Sequence, residues 1–129
     1  MKQKTILIDT NIWIDYFRNN TDAELLIDLY DEDRLAINDV ILAELIPALS
    51  VFKKKDAIEK LRSIERLPVF VNWEGIIDLQ TQCLKNGMNG IGLPDLMIVQ
   101  TAIEFKTMIY SKDKHFERMN KFIKFDLYK

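Results

Sequence analysis

The chain has 129 residues and a net charge of −2, with 48% hydrophobic and 29% charged residues. Those proportions fit one globular domain and exclude a fibrous or disordered chain. No apolar run approaches the roughly 20 residues of a membrane span. The basic start, Met1-Lys2-Gln3-Lys4, leads into an apolar run that is too short for a secretion signal and is broken by Asp9.

Ile6-Leu7-Ile8 runs straight into Asp9, the pattern of a buried strand in a parallel sheet. Thr10 and Asn11 are helix-starting residues, and the helix they introduce continues from Ile12 to Phe17. Asn19-Asn20-Thr21 breaks it. Asp22 to Tyr30 carries Ala23, Leu26, Ile27 and Tyr30 at helical spacing, and Asp31-Glu32-Asp33 is a charged turn. Leu35-Ala36-Ile37 reads as a second strand, and Asn38 or Asp39 caps the next helix. That helix, Val40 to Ile46, is apolar except for Glu44, and Pro47 is expected to end or kink it. Lys53-Lys54-Lys55 opens a polar helix with Ile58, Leu61 and Ile64 on one face. Val69-Phe70-Val71 is the expected third strand, and Asn72 caps a helix from Trp73 to about Lys85.

Cys83 falls in the pattern of that helix and reads as core filling; as the one cysteine it permits no intrachain disulfide and suits a reducing cytoplasm. Asn86 to Leu93 holds Gly87, Gly90 and Gly92 and is the flexible-looking loop. Pro94 restarts a helix, with Asp95 next and an apolar run to Phe105 behind it. Thr107 to Tyr110 is a strand that releases Ser111-Lys112-Asp113. Phe116 and Met119 anchor a short helix, and Phe122 to Leu127 alternates like an edge strand. Strands alternating with helices predict an α/β fold, a parallel sheet covered on both sides. Residues 1–129 read as one domain.

Charge is unevenly distributed. Asn20 to Ile46 holds eight acids against Arg34, whereas Lys106 to Lys129 holds seven Lys or Arg against three acids. A basic end of that kind suits a phosphate backbone, and it equally suits a solvated surface.

Four acids stand out, each with an ordinary structural alternative. Asp9 leaves the first strand, where open α/β sheets bind ligands, but an Asp there also caps a helix. Glu44 sits among Ile41, Leu42, Ala43, Leu45 and Ile46, so a buried charge is expected, paired with an arginine or a metal ion. Asp95 lies in a first helical turn, where the helix dipole favours an acid regardless of function. Asp113 follows a strand end and could mark a turn. Together they would meet at one edge of the sheet, where their mutual repulsion calls for hard divalent cations. An all-oxygen set suits Mg²⁺ or Mn²⁺ rather than Zn²⁺, and two such ions about 3.5–4 Å apart can activate water and stabilise a leaving oxygen. His115, the lone histidine, reads as a surface or packing residue.

With those acids in place, the sequence resembles the PIN-domain nucleases, in particular the VapC-type toxins of type II toxin–antitoxin modules. The matching motifs are I-L-I-D-T-N-I-W-I-D, I-L-A-E-L, G-L-P-D-L-M-I-V-Q-T-A and Y-S-K-D-K-H-F, in the family's order and at about its spacing. The resemblance implies a three-layer PIN fold with a parallel sheet of about five strands flanked by helices. It implies a metal-dependent endoribonuclease using Mg²⁺ or Mn²⁺, with Asp9, Glu44, Asp95 and Asp113 as the metal-holding carboxylates. Asn11 and Ser111 match positions that orient them. Gln100 stands where a small apolar residue is usual. The resemblance also implies an RNA substrate, a cognate antitoxin, a homodimer and a cytoplasmic location, without membrane attachment.

Three rivals are weaker. A haloacid-dehalogenase-type phosphatase needs a second Asp two residues after Asp9, where this chain has Asn11. A nuclease for structured DNA needs extra elements for which the chain is short. A catalytically silent PIN-like binding module has no use for four intact acids.

Overall fold

The computed structural model describes residues 4–128; Met1, Lys2 and Gln3 of the basic start and Lys129 of the basic end lie outside the described residues. In chain order the elements are β1 (Ile6–Ile8), α1 (Thr10–Asn19), α2 (Ala23–Asp31), β2 (Leu35–Asn38), α3 (Asp39–Val51), α4 (Lys55–Ser63), β3 (Glu65–Leu67), α5 (Trp73–Lys85), α6 (Leu93–Phe105), β4 (Met108–Tyr110) and α7 (Lys114–Met119). The strands lie in the order β3-β2-β1-β4, and every pairing is parallel. Ile6, Leu7 and Ile8 are all fully buried. Successive strand side chains point to opposite faces, so burial of all three means that helices cover both sides of the sheet.

The chain leaves β1 toward β2 and β3 on one side, and returns to place β4 on the other. The crevice between β1 and β4 is therefore a topological switch point, where neighbouring loops diverge and leave room for a ligand. The register pairs Ile8 with Tyr110, so Asp9 and Ser111 emerge side by side at the carboxyl edge.

The third strand differs from expectation. It is Glu65–Leu67, and not Val69–Val71. Asn38, the last residue of β2, pairs with Leu67, after which the chain turns into α3. Residues beyond Leu67 have no neighbour left to pair with, and Pro68 lacks the N–H a ladder needs. Phe70 is consequently exposed. Gln100 holds the segment instead: its amide donates to the Asn72 carbonyl at 2.9 Å and its carbonyl accepts from the Asn72 N–H at 3.2 Å. Gly75 permits that approach, since a Cβ there would stand 2.7 Å from Gln100 Nε2.

The expected edge strand Phe122 to Leu127 reduces to one parallel bridge, Ile109 with Leu127. The Asn120 amide donates to the carbonyls of Ile123 and Phe125, which bends the segment and leaves it too curved for a ladder. The glycine loop is anchored rather than loose. Met88 and Ile91 are buried, and Gln80 donates to the Ile91 carbonyl at 2.7 Å.

Pro47 does not end its helix; α3 continues to Val51. Proline deprives the Ala43 carbonyl of its partner, but Ala43 and Pro47 both lie on the exposed side, where water can take the bond. The defect is tolerated rather than absent. Pro47→Ala is expected to raise stability by about 1–2 kcal/mol, the restored helical bond outweighing the greater freedom of the unfolded chain. A higher urea midpoint would register it; an unchanged midpoint would mean the helix loses nothing at Pro47.

Candidate active site

Asp9 is the N-cap of α1 and is 6% exposed. Its Oδ1 accepts from the Thr10 N–H at 2.8 Å. Its Oδ2 accepts from the Ser111 hydroxyl at 2.7 Å and, more weakly, from the Asn11 amide at 3.4 Å. Asn11 also donates to Ser111 Oγ at 3.0 Å and accepts from the Lys112 N–H at 3.1 Å. This small network locks the ends of β1 and β4 together and fixes the Asp9 carboxylate. A carboxylate offers about four lone-pair sites, so Asp9 keeps capacity on Oδ1 for another partner.

Asp113 caps α7, its Oδ1 accepting from the His115 N–H at 2.9 Å, and its own N–H donates to Ser111 Oγ at 3.0 Å. Asp95 lies in the first turn of α6 behind Leu93 and Pro94, and among the described residues it accepts no hydrogen bond. Glu44 departs from expectation. It is exposed on α3, because α3 turns this position toward the rim while Ile41, Leu42 and Leu45 face the core. No arginine pairs with it among the described residues; its Oε1 accepts from the Thr10 hydroxyl at 2.9 Å.

The electrostatics tie the four acids into one field. Burial raises the Asp9 carboxyl above its ordinary value; the Ser111 and Thr10 hydrogen bonds oppose the rise, and the charges of Glu44 and Asp113 add to it. The Asp95 carboxyl is pushed up from 3.8 to about 6, by burial first and then by Asp9 and Asp113, with His115 pulling it down and Glu44 raising it. Asp9 and Asp95 thus feel neighbouring acids across α1, α3, α6 and the β4–α7 turn. Such a pocket is costly when empty of positive charge and receptive to it.

His115 is the residue the sequence reading passed over. Its Nδ1 lies 3.3 Å from Asp113 Oδ1 and 3.8 Å from Asp95 Oδ2. The atom is buried and makes no hydrogen bond. Donor atoms of Asp95, Asp113 and His115 all lie within 4.8 Å of one another. The signal was local: a histidine two residues after a helix-capping acid must share the first turn with it. An orphaned buried nitrogen beside two carboxylates fits a divalent cation well.

Glu44 borders a groove of about 300 Å³, lined mainly by apolar residues including Ile14, Phe17, Leu45 and Phe52, with Arg18 and Lys54 also in its lining. Another cavity, of about 140 Å³ between Trp13, Tyr16, Leu26 and Ile64, includes none of the four acids in its lining. No helix among the described residues is long and apolar enough to cross a membrane.

Comparison with known proteins agrees with this geometry. The model of the PIN domain matches residues 6–122. Ribonuclease VapC1 of Methanocaldococcus jannaschii is 30% identical over 125 residues, covering 94% of this chain and 85% of that protein. Among solved structures, DNA-bound VapBC from Salmonella typhimurium superposes with a TM-score of 0.76 at 16% identity, covering 98% of each chain. VapBC-1 from nontypeable Haemophilus influenzae superposes with a TM-score of 0.72 at 24% identity, covering 96% of each. The structural likenesses speak for a shared fold.

Proposed function

The chain belongs to the PIN-domain family, and from that premise we propose that it is a VapC-type endoribonuclease, the toxin of a toxin–antitoxin pair, that hydrolyses RNA phosphodiester bonds with Mg²⁺ or Mn²⁺. The observation that carries this reading is the buried Asp9 carboxylate, fixed by Ser111 and coupled to Glu44, Asp95 and Asp113 at the switch point. Asp9 and Asp95 hold the principal ion. Glu44 and Asp113 hold a second ion or orient the attacking water. When bound, the ion supplies a lowered water pKa and charge neutralisation at the phosphate. Asn11 and Ser111 keep the Asp9 carboxylate aimed, and their hydrogen bonds favour its charged, ligating form.

RNA binding is supported by the exposed Lys114, Arg118 and Lys121, which follow Asp113 directly in the chain. Lys112 is engaged with Asp15, so the basic end keeps only part of its charge for a ligand, while Lys4 of the basic start pairs with Asp126. The apolar groove beside Glu44 suits an antitoxin segment. Trp73 and Ile77, one turn apart on α5 and both exposed, support a homodimer. The whole chain, residues 1–129, acts as one PIN domain in the cytoplasm.

The purified chain is expected to cut RNA in buffer containing Mg²⁺ or Mn²⁺, to stop in EDTA, and to recover when the ion is added back. Cleavage that continues in EDTA would count against the reading.

A further inference from the structure

We propose that His115 is a direct nitrogen ligand of the metal centre, bound through Nδ1, and that it makes the site prefer Mn²⁺ over Mg²⁺. The inference rests on the nuclease reading and goes beyond the carboxylates that reading requires.

Three observations carry it. First, His115 Nδ1 is buried without a hydrogen bond, although carboxylate oxygens stand 3.3 and 3.8 Å away. The nitrogen is close enough to share a partner with Asp113 and Asp95, yet it is not aligned to bond Asp113 and stands too far from Asp95 to bond it. Second, these spacings suit ligands on one ion: donors about 2.1 Å from an octahedral metal stand roughly 3 Å apart as neighbours and roughly 4.2 Å apart across the ion. The 3.3 Å spacing to Asp113 lies near the first, and the 3.8 Å spacing to Asp95 lies between the two. Third, α7 holds the histidine in place from the same turn that holds the acid. The His115 N–H is committed to Asp113 Oδ1, and Phe116, the next residue, is buried. A metal on Nδ1 requires the ring proton on Nε2.

The choice of ion follows from the donor set. Mg²⁺ demands oxygen ligands, dehydrates reluctantly and gains little from an imidazole. First-row transition ions accept nitrogen alongside carboxylate, so one imidazole in an otherwise oxygen site raises their affinity selectively. The competing role for His115 is an imidazolium that neutralises Asp95 and Asp113 when no ion is bound. That role predicts the opposite result, since removing a resident cation makes room for an added one.

The test is calorimetric titration of MnCl₂ and of MgCl₂ into the full chain and into His115→Ala, with Mn²⁺ electron-spin-echo spectra of the parent. The variant is expected to lose about tenfold or more in Mn²⁺ affinity. Its Mg²⁺ affinity should change by less than about twofold. The parent's bound Mn²⁺ should show ¹⁴N modulation from a coordinated imidazole, a signal that does not depend on whether the variant folds. Equal losses for both ions, tighter binding by the variant, or a parent spectrum without ¹⁴N modulation would overturn the assignment and leave the carboxylate site standing. Failure of the parent to bind either ion would overturn the assignment and the nuclease reading together.

Discussion

Asp9→Asn is expected to lower metal-dependent RNA cleavage by more than about a hundredfold, beyond what losing an outer-shell partner costs. Asp9 is the buried centre of the acidic group: it touches Thr10, Asn11 and Ser111, and its charge acts on Asp95. The amide keeps the shape and can still accept from the Thr10 N–H. It loses the negative charge, and it turns a donor toward Ser111 Oγ, which already accepts from Asn11 and Asp113. The same change is expected to stabilise the metal-free protein at neutral pH by roughly 0.5–2 kcal/mol. The sign follows from the net upward shift at Asp9: burial and like charge outweigh its hydrogen bonds, so the folded chain prefers a neutral group there. A variant that melts higher in EDTA but cannot cleave would fit both statements. Full cleavage by Asp9→Asn would sink the assignment.

The second large effect is a pH dependence of stability that flattens when a divalent ion is added. Between pH 3.8 and about 6, the folded chain holds a proton on Asp95 that the unfolded chain has released. Asp9 shifts in the same direction. A raised carboxyl contributes stability that is complete below the unfolded value and is lost as pH rises through the folded value. In EDTA the protein should therefore be less stable at pH 7.5 than at pH 5. A shift from 3.8 to about 6 corresponds to an upper bound of about 3 kcal/mol over the whole titration, of which about half falls between pH 5 and pH 7.5; partial exposure of Asp95 reduces that part to about 1 kcal/mol, or roughly 3–6 °C in melting temperature. Saturating Mn²⁺ replaces the proton and adds about 2.7 kcal/mol at a hundred times its dissociation constant. Because the ion takes the place of the proton on Asp95, the fall in stability between pH 5 and pH 7.5 should then largely disappear. Thermal melts at the two pH values, with EDTA and with Mn²⁺, measure this directly. The same slope under both conditions would mean that the acids do not share a cation.

Much of the fold was legible because its signals are local. Apolar runs ending on polar caps marked β1, β2 and β4, and Asn38, Asn72 and Pro94 marked the starts of α3, α5 and α6. Three misreadings share one cause. Val69-Phe70-Val71 has a strand's composition, but pairing depends on what lies alongside, and β2 has already turned into a helix there. Pro47 is expected to end or kink α3, and it does not end it, because the cost depends on whether the freed carbonyl meets water or protein. Glu44 looked buried because its neighbours in sequence are apolar, yet on a helix those neighbours point elsewhere.

The sequence by itself determined which residues carry charge, where strands stop and helices begin, and hence that Asp9, Ser111 and Asp113 leave strands of one parallel sheet. Only the tertiary structure decided that β4 lies against β1, which brings the Ser111 hydroxyl to Asp9, and that α7 turns His115 toward Asp95. Caps and apolar periods are set by residues a few positions apart. Strand neighbours and side-chain encounters are set by packing among segments as far apart in the chain as Asp9 and Ser111, and no local pattern encodes that.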